Sequence, residues 1–390
     1  MAQAGHPQSW SDLPTELAGL VLSRLPAYSD RVRFGAVCRH WNFSFSSMKR
    51  CLPKPLPCLA CPDGTFFCLP RSESCQFPGT TSYHSSCGEW LLFLHDGACY
   101  LKDPFSKITL TLPNLSSLCP IDEPVEIING PVSSEDEVPP ESLNMDADML
   151  IDKVIVCSEL IVAATVKIGP HKTVALCRPG DDSWLVSRLG SKVTLFDMIY
   201  EGKLYVLDES RDLLVIIVGE DDDNGTLSIS RIECLIENET LSFSLTHNGV
   251  SYLQYFLVEC NGAVLLLSRT IYGVPSDGDS ECTPIKPVGV GFEVFKADFR
   301  SARWEDVTSI GDDVVLFVSK SYSQSVSVSQ YKVKGNCIWF LDDGNCSWFW
   351  KDLVSSCAIY DMSDEGTYSA SSPNGSFKSE KAPVTWLAPH

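Results

Sequence analysis

The sequence predicts a mainly β protein with a small α domain at its N terminus. In the first fifty residues the apolar side chains recur with the spacing of an α-helix. Nearly everything after Pro53 consists of short β-rich runs separated by turn residues. We place the main domain boundary at this change of period, with a helical domain at 9–50 and a β domain at 54–390. The chain is long enough for one small and one large domain.

The helical domain is predicted to contain three short helices. The first lies in SDLPTELAGLVLSRL and carries five apolar side chains on one face, which are Leu13, Leu17, Leu20, Val21 and Leu25. Pro14 is tolerated in its first turn, and Pro26 ends it. The second lies in DRVRFGAVCRHW and presents Val32, Ala36 and Val37 on one side. Such short helices bury little surface alone, so we expect the domain to pack on a neighbour or a partner.

The β domain repeats two signals. In five places a glycine opens an apolar strand, at Gly88, Gly202, Gly262, Gly311 and Gly335. In three places a tryptophan stands near a strand end, at Trp184, Trp304 and Trp348. Repeated β units with glycine and aromatic signals are typical of the blades of a β-propeller. A β-sandwich is the alternative, but the β region is longer than the roughly 100 residues that one such sandwich needs.

Two segments have the composition of disordered chain. An acidic insert at about 131–149 combines proline, serine and acidic residues, and a Ser/Gly-rich stretch at about 363–381 is expected to be flexible. Beyond it the chain ends in an apolar run from Val384 to Leu387, which a free tail would not need.

A ring of blades lacks free edges only if its first and last segments share a sheet. We therefore predict that the final run pairs with the segment just after the helices, within 56–69, and buries Trp386. A tail that merely contains a tryptophan is the alternative.

Charge and composition exclude several classes of protein. The 50 acidic residues outnumber the 30 basic ones, for a formal net charge of −20, and no Lys/Arg run offers a surface for phosphates. The N terminus lacks the basic start and apolar stretch of a secretory signal, and no run approaches ~18 apolar residues. We expect an intracellular protein of the cytoplasm and/or the nucleus that binds neither nucleic acid nor membranes.

The 17 cysteines do not indicate a disulfide scaffold, because the number is odd and the expected compartment is reducing. Most alternate with apolar residues, as at Cys177 and Cys337, where a free thiol acts as a small apolar side chain. A zinc site is also disfavoured. The spacing lacks the second close cysteine pair of a zinc ribbon or finger, since the four candidate ligands would be Cys58, Cys61, Cys68 and Cys75.

No catalytic motif stands out. The chain contains no Gly-x-Ser-x-Gly elbow, no phosphate-binding Gly-Lys-Ser/Thr loop and no His-Glu-x-x-His pair. Paired acids such as Asp312-Asp313 lie at strand ends, where turn formation explains them. We expect no cofactor and no metal, and an enzymatic role is a minor alternative.

The N-terminal stretch SWSDLPTELAGLVLSRLPAYSDRVRFGAVCRHW resembles an F-box. The matching positions are Leu13, Pro14, Glu16, Leu17, Leu25, Asp30, Arg31, Arg33, Val37, Cys38 and Trp41. The rest resembles the kelch-like KIB-type β-propeller found with F-boxes in plants, through runs such as PDGTFFCLP, KDPFSKITLTLP, CRPGDDSW, VTLFDMIYEGKLYVLD and GNCIWFLDD. Such proteins usually read Asn-Pro-Phe where this chain has Asp103, Pro104 and Phe105.

This resemblance implies an adaptor without catalytic activity. The F-box would bind the Skp1-type adaptor, and through it a cullin, of an SCF ubiquitin ligase, while the propeller would bind a protein substrate that the sequence does not identify. The candidate adaptor contacts are Leu13, Pro14, Leu17, Val21, Leu25, Val37, Cys38 and Trp41. For Leu17 and Val37, packing inside the helical domain is an equal alternative.

Two other functions remain open at this point. The propeller could bind and inhibit a signalling partner without promoting its ubiquitination. It could also be a hydrolase or lyase with its site in the central channel, which would need clustered histidine and acidic side chains there.

Overall fold

The structure is a computed structural model. It describes residues 10, 13–25, 27–48, 52–70, 73–121, 127–129, 149–157, 161–191, 193–220, 225–238, 250–275, 285–341, 357–369 and 384–389. The acidic insert predicted at about 131–149 lies outside these residues except for Met149, and so does Trp348.

Three helices form the N-terminal domain, as predicted: α1 at Thr15–Leu22, α2 at Tyr28–Ala36 and α3 at Arg39–Met48. Pro14 precedes α1, where its missing N–H costs nothing. Ala18 and Leu22 on the inner face of α1 pack with Phe34 of α2, and the Phe34 ring stacks on Trp41 with centroids 4.3 Å apart. No described helix has the length and apolar character needed to span a membrane.

The β domain is a propeller, and its described residues form six sheets, which we call blades A to F. Blade A contains β1 (Cys58–Ala60), β2 (Thr65–Cys68), β3 (Glu73–Gln76) and β26 (Thr385–Leu387). Blade B contains β4 (Ser85–Cys87), β5 (Trp90–His95), β6 (Ala98–Lys102) and β7 (Thr109–Leu112). Blade C contains β8 (Leu118–Pro120), β9 (Met149–Val156), β10 (Val162–Ile168), β11 (His171–Cys177) and β12 (Trp184–Val186).

The second half of the ring has the same plan. Blade D contains β13 (Leu195–Tyr200), β14 (Leu204–Asp208), β15 (Leu213–Glu220) and β16 (Leu227–Ile236). Blade E contains β17 (Val250–Cys260), β18 (Ala263–Pro275), β19 (Ile285–Asp298) and β20 (Arg303–Asp306). Blade F contains β21 (Val314–Val318), β22 (Ser323–Ser327), β23 (Cys337–Leu341), β24 (Cys357–Asp361) and β25 (Gly366–Ser369).

Each of the five glycines that the sequence singles out precedes a strand. Gly88 and Gly262 occupy tight hairpins with φ of 57° and 76°, a backbone region that favours glycine. A side chain at Gly335 would place its Cβ 2.0 Å from the Asp312 carbonyl oxygen. The strands that follow are apolar on both faces, as in the fully buried β21, because neighbouring blades pack face to face. The predicted buried cysteines Cys177 and Cys337 lie in such strands.

The innermost strands are β26, β4, β9, β13, β17 and β22, and successive ones contact each other around the axis. Neighbouring strands finish on the same side where their ends meet. The N–H of Val156, the last residue of β9, donates to the thiol of Cys87, the last residue of β4, at 3.3 Å, and the N–H of Ala388, just after β26, donates to the carbonyl of Gly88, just after β4, at 2.8 Å. Asp152 in the first half of β9 likewise pairs with Lys320, which precedes β22. The ring therefore has two sides. We call the side where these strands begin the start side, and the side where they finish the end side.

The C-terminal strand closes the ring, as predicted. β26 pairs antiparallel with β1, with Trp386 opposite Leu59. The Trp386 side chain is fully buried, its ring meets Phe317 of blade F edge-on at 5.1 Å, and its indole N–H donates to the Val318 carbonyl at 3.2 Å. The strand thus satisfies the backbone edge of blade A and joins that blade to blade F.

The stretch predicted to be flexible at about 363–381 includes residues that form a strand. Residues Gly366–Ser369 form β25, which pairs antiparallel with β24 at the outer edge of blade F. An edge strand needs only one apolar face, so the polar composition of β25 did not indicate a strand. Tyr368 also donates its hydroxyl to the Asp364 carboxylate at 2.5 Å. Residues 370–383 lie outside the described chain.

Replacing Trp386 with alanine should lower the free energy of unfolding by about 3–5 kcal/mol, because a fully buried indole and its hydrogen bond are lost. Chemical denaturation measures this difference. Trp10, which is 78% exposed, offers a matched control, and its replacement should change stability by less than about 0.5 kcal/mol. Equal effects of the two substitutions would contradict ring closure by β26.

Candidate functional site

The helical domain exposes apolar side chains that the propeller does not cover. On α1, Leu17, Leu20 and Val21 share the outer face, while Ala18 and Leu22 on the opposite face are buried. On α2 and just after it, Val32 and Val37 are also exposed. We call this set the helical apolar surface: Leu17, Leu20, Val21, Val32 and Val37. Their exposed fractions run from 42% to 60%, which is unusual for so many aliphatic side chains in one small unit.

The structure divides the eight predicted adaptor contacts into two groups. The exposed ones are Pro14, Leu17, Val21 and Val37. The other four are half-buried, and Leu13, Leu25 and Trp41 among them pack against the core of the helical domain, while Cys38 accepts a hydrogen bond from the Trp41 backbone N–H at 3.5 Å. Their role as adaptor contacts stays a prediction. Leu20 and Val32 share the exposed surface, and helical spacing alone could have added them.

A buried arginine fastens the helical domain to the chain that enters the propeller. Arg31 is 3% exposed and donates from Nε to the Leu25 carbonyl at 2.9 Å and from Nη1 to the Pro53 carbonyl at 2.7 Å. Burial lowers the pKa of this guanidinium. The same linker is held from the propeller side, since the Tyr331 hydroxyl donates to the Lys54 carbonyl at 2.7 Å. Helical periodicity gave no sign that Arg31 is buried.

Two further contacts hold α2 against blades A and B. The Tyr28 ring meets Phe105 edge-on at 4.7 Å. Glu73 accepts hydrogen bonds from the Ser29 hydroxyl at 3.0 Å and from Arg33 at 2.6 Å. Glu73 begins β3 and Phe105 follows the end of β6, and both positions lie on the end side of the ring. The helical domain therefore sits on the end side.

A buried ion pair crosses the centre of the ring. Lys153 of β9 and Asp197 of β13 lie 2.7 Å apart, with side chains that are 7% and 5% exposed. Lys153 also donates to the Ser323 hydroxyl of β22 at 3.2 Å, and Asp197 accepts the backbone N–H of Leu257 of β17 at 2.7 Å. Four blades meet in this one network. A buried pair of this kind is stable only when its hydrogen bonds are satisfied, as they are here.

Two β-bulges aim this pair at the axis. The pairing of β9 with β10 skips Asp152, the residue before Lys153. The pairing of β13 with β14 likewise skips Phe196, the residue before Asp197. A bulge bends its strand and redirects the adjacent side chains.

The two bulged residues form the mouth of the ring on its start side, together with Leu150, Lys172 and Lys320. Asp152 bonds Lys172 at 2.6 Å and Lys320 at 2.5 Å. Burial opposes the charge on Asp152, but the two ammonium groups outweigh it and lower its pKa to about 2. Phe196 is 42% exposed and rests on the Tyr255 ring at 5.3 Å. The mouth thus combines fixed charges with an exposed aromatic and the exposed Leu150.

Blade E extends beyond the other blades on the start side. Its strands β17, β18 and β19 have 11, 13 and 14 residues, whereas β13 and β14 of the preceding blade have six and five. Leu257, whose N–H bonds Asp197 of the central network, lies three residues before the end of β17. The additional residues of β17 therefore come before Leu257, on the start side of the ring. Tyr252 and Tyr272 on this extension are exposed. The start side therefore carries a wall beside the mouth.

The described residues offer little catalytic machinery. They hold no group of three or more histidine, cysteine or acidic side chains placed to bind a metal ion. Burial, together with the Asp212 carboxylate, raises the pKa of Asp208 to about 7, but Asp208 accepts the Asp212 backbone N–H at 2.8 Å and so holds a tight turn. The nearby cavity of about 510 Å³ between blades D and E has no histidine in its lining.

Comparison with known proteins matches both domains. The family model of the KIB1-4 β-propeller matches residues 60–369, and an F-box-like model matches residues 10–47. The F-box protein At2g26160 of Arabidopsis thaliana is 24% identical over 86% of this chain and 96% of its own length. The "Probable F-box protein At1g65740" of the same plant is 23% identical over 86% of this chain and 90% of its own.

Replacing Asp208 with asparagine tests the electrostatics of blade D. Its carboxyl has a raised pKa of about 7, so between about pH 4 and pH 7 the folded protein keeps a proton that the unfolded chain has released. The free energy of unfolding of the native chain therefore falls over this range. We expect the Asp208→Asn variant to gain relative stability between pH 4 and pH 8, by up to a few kcal/mol. Urea denaturation at several pH values measures the difference in the free energy of unfolding between the variant and the native chain. A difference that does not change with pH would show that the pKa of Asp208 is not raised.

Proposed function

The chain belongs to the KIB1-4 β-propeller family and carries an F-box-like domain before the propeller, and from this we propose that it is the substrate-recognition subunit of an SCF-type ubiquitin ligase. In this proposal the helical domain docks on a Skp1-type adaptor, and through it on a cullin. The propeller binds the protein to be ubiquitinated. The observation that carries the proposal is the helical apolar surface, which remains open after the helices have packed on the propeller.

The chemistry of that surface fits docking into an apolar groove. Leu17, Leu20 and Val21 project from one face of α1 at the spacing by which an amphipathic helix anchors in a partner. Covering these side chains would remove from water the apolar area that the chain itself leaves exposed. Pro14, also exposed, precedes this helix and lies within reach of the same partner.

We assign substrate binding to the start side of the ring. The helical domain occupies the end side, so an adaptor bound to it leaves the mouth and the blade E extension free. Phe196 and Leu150 offer apolar anchors there, next to the charges of Lys172 and Lys320. Exposed aromatic side chains on a rigid base are typical of the centres of protein interfaces.

The proposal gives the chain no chemical step of its own. Its role is to hold two proteins at a fixed separation, and the contacts of Arg31 and Tyr331 with the linker serve that purpose. A propeller that inhibits its partner without ubiquitination would use the same start side but would not need the helical apolar surface. Adaptor binding therefore separates the two functions.

Replacing Leu17 and Val21 with glutamate should reduce co-purification of a Skp1-type adaptor at least about tenfold, because two charges enter the apolar contact. Both side chains are exposed, at 48% and 43%, so the fold should persist. This pair tests the contact better than Leu13, which packs against the helical core.

Ile108, which is 52% exposed on the propeller, provides the matched control. Its replacement by glutamate should leave the adaptor bound. Undiminished binding by the Leu17 and Val21 variant, with native circular dichroism, would refute docking through this surface.

Replacing Phe196 and Leu150 with serine should remove specific partner proteins captured from plant cells under proteasome inhibition, while the adaptor stays bound. Quantitative mass spectrometry compares the variant with the native chain. Phe299 is the matched control, since it is 47% exposed, lies near the Tyr205 ring at 6.1 Å and follows the end of β19 on the other side of the ring. A partner set that changes only in the Phe299→Ser variant would place the substrate elsewhere.

A further inference from the structure

Three thiols lie in a row across blade A. Cys58, Cys68 and Cys75 belong to the adjacent strands β1, β2 and β3. The sulfur atoms of Cys58 and Cys68 are 3.3 Å apart, and those of Cys68 and Cys75 are 3.8 Å apart. Cys61, by contrast, packs in a different side-chain cluster on the other face of the sheet.

The strand register favours a bond between the first two thiols. Cys58 lies directly opposite Cys68, three pairs from Cys61, whose N–H bonds the Thr65 carbonyl at 2.8 Å. Because hydrogen-bonded and non-hydrogen-bonded pairs alternate along antiparallel strands, Cys58 and Cys68 form a non-hydrogen-bonded pair. Such pairs have Cα atoms about 4.5 Å apart, within the range that a disulfide spans.

Access to solvent decreases along the row. Cys75 is half-buried, whereas Cys68 is 1% exposed and Cys58 is fully buried. An external reagent therefore meets Cys75 first.

We propose that this thiol row is a site of reversible oxidation, in which a small disulfide such as oxidised glutathione reacts at Cys75 and the oxidation passes inward to a Cys58–Cys68 disulfide. The Cys75 thiolate attacks the glutathione disulfide and releases one glutathione. The Cys68 thiolate then attacks the Cys75 sulfur and releases the second glutathione. Finally, the Cys58 thiolate attacks the Cys68 sulfur and returns Cys75 to the thiol.

The exchange balances without another reagent. Two protein thiols lose their hydrogens and form one disulfide, and one oxidised glutathione becomes two reduced ones. The hydrogen bond with Cys58, together with burial, raises the pKa of Cys68 to about 12. The hydrogen bond with Cys68, together with burial, also raises the pKa of Cys75. The thiolates of Cys68 and Cys75 are therefore scarce at neutral pH, so the exchange is slow and responds to sustained oxidising conditions.

The three thiols lie beneath α2, at the contact between the helical domain and blade A. The Ser29 hydroxyl donates to Glu73, the residue opposite Cys68 on β3, and the Ser29 backbone lies close enough to Cys68 to act against the rise in the pKa of its thiol. A disulfide would shorten the separation of the Cys58 and Cys68 sulfur atoms from 3.3 Å to about 2 Å, and so shift the Cys68 sulfur beneath Ser29. Oxidation should therefore loosen the first turn of α2 on the propeller.

The test exposes the full-length chain to excess oxidised glutathione, blocks remaining thiols by alkylation and maps disulfides by peptide mass spectrometry. The expected product is a Cys58–Cys68 link. In the Cys68→Ser variant we expect a glutathione adduct trapped on Cys75. In the Cys75→Ser variant, whose substitution is only half-buried, the link should form at least about tenfold more slowly.

Cys119 is the internal control. It is exposed on β8, and its hydrogen bond in the described residues goes to a carbonyl rather than to a thiol. It should take up glutathione in every variant. Free Cys58, Cys68 and Cys75 in a sample whose Cys119 is fully modified would overturn the proposal, and so would an equal rate of linkage in Cys75→Ser.

Faster amide hydrogen exchange in α2 of the oxidised protein, measured on the same samples, tests the link to the helical domain, and unchanged exchange would refute it.

Discussion

The antiparallel pairing of β26 with β1 closes the ring of blades and holds both ends of the propeller chain in one sheet. The two strands come from opposite ends of the chain, and their pairing removes the open edge that a ring of blades would otherwise expose. Trp386 makes the pairing specific, because its buried indole reaches blade F as well as blade A. The helical domain relies on the same place, since only the short linker through Pro53 and Lys54 separates α3 from β1, and Arg31 and Tyr331 hold that linker.

Closure gives the propeller two different sides. The end side bears the helices, and the start side keeps its mouth open beside the extended blade E. Between them the Lys153–Asp197 pair ties the innermost strands of blades C and D, and its hydrogen bonds reach blades E and F. Because this network crosses the axis, a protein bound at the mouth rests on the same rigid frame that carries the helical domain. In the proposed function, this frame would hold the substrate at a constant distance from the ligase.

Local patterns predicted much of this fold. Glycine before an apolar run marked five strands, helical spacing marked the outer face of α1, and an apolar run at the C terminus marked β26. Contacts between distant segments left no such pattern. Nothing near Arg31 reveals that its guanidinium is buried against Pro53, the bulges at Asp152 and Phe196 depend on partner strands, and the edge strand β25 has the composition of a loop. The candidate adaptor surface was therefore partly predictable, whereas the mouth of the ring was not.

We propose that the chain presents an adaptor surface on its helices and a substrate surface on the opposite side of a closed ring. A cryo-electron microscopy structure of the full-length chain bound to a Skp1-type adaptor tests it most directly. We expect adaptor density over Leu17, Val21 and Val37, helices packed on blades A and B, and an uncovered mouth at Phe196. Adaptor density over the mouth, or helices detached from the propeller, would contradict it.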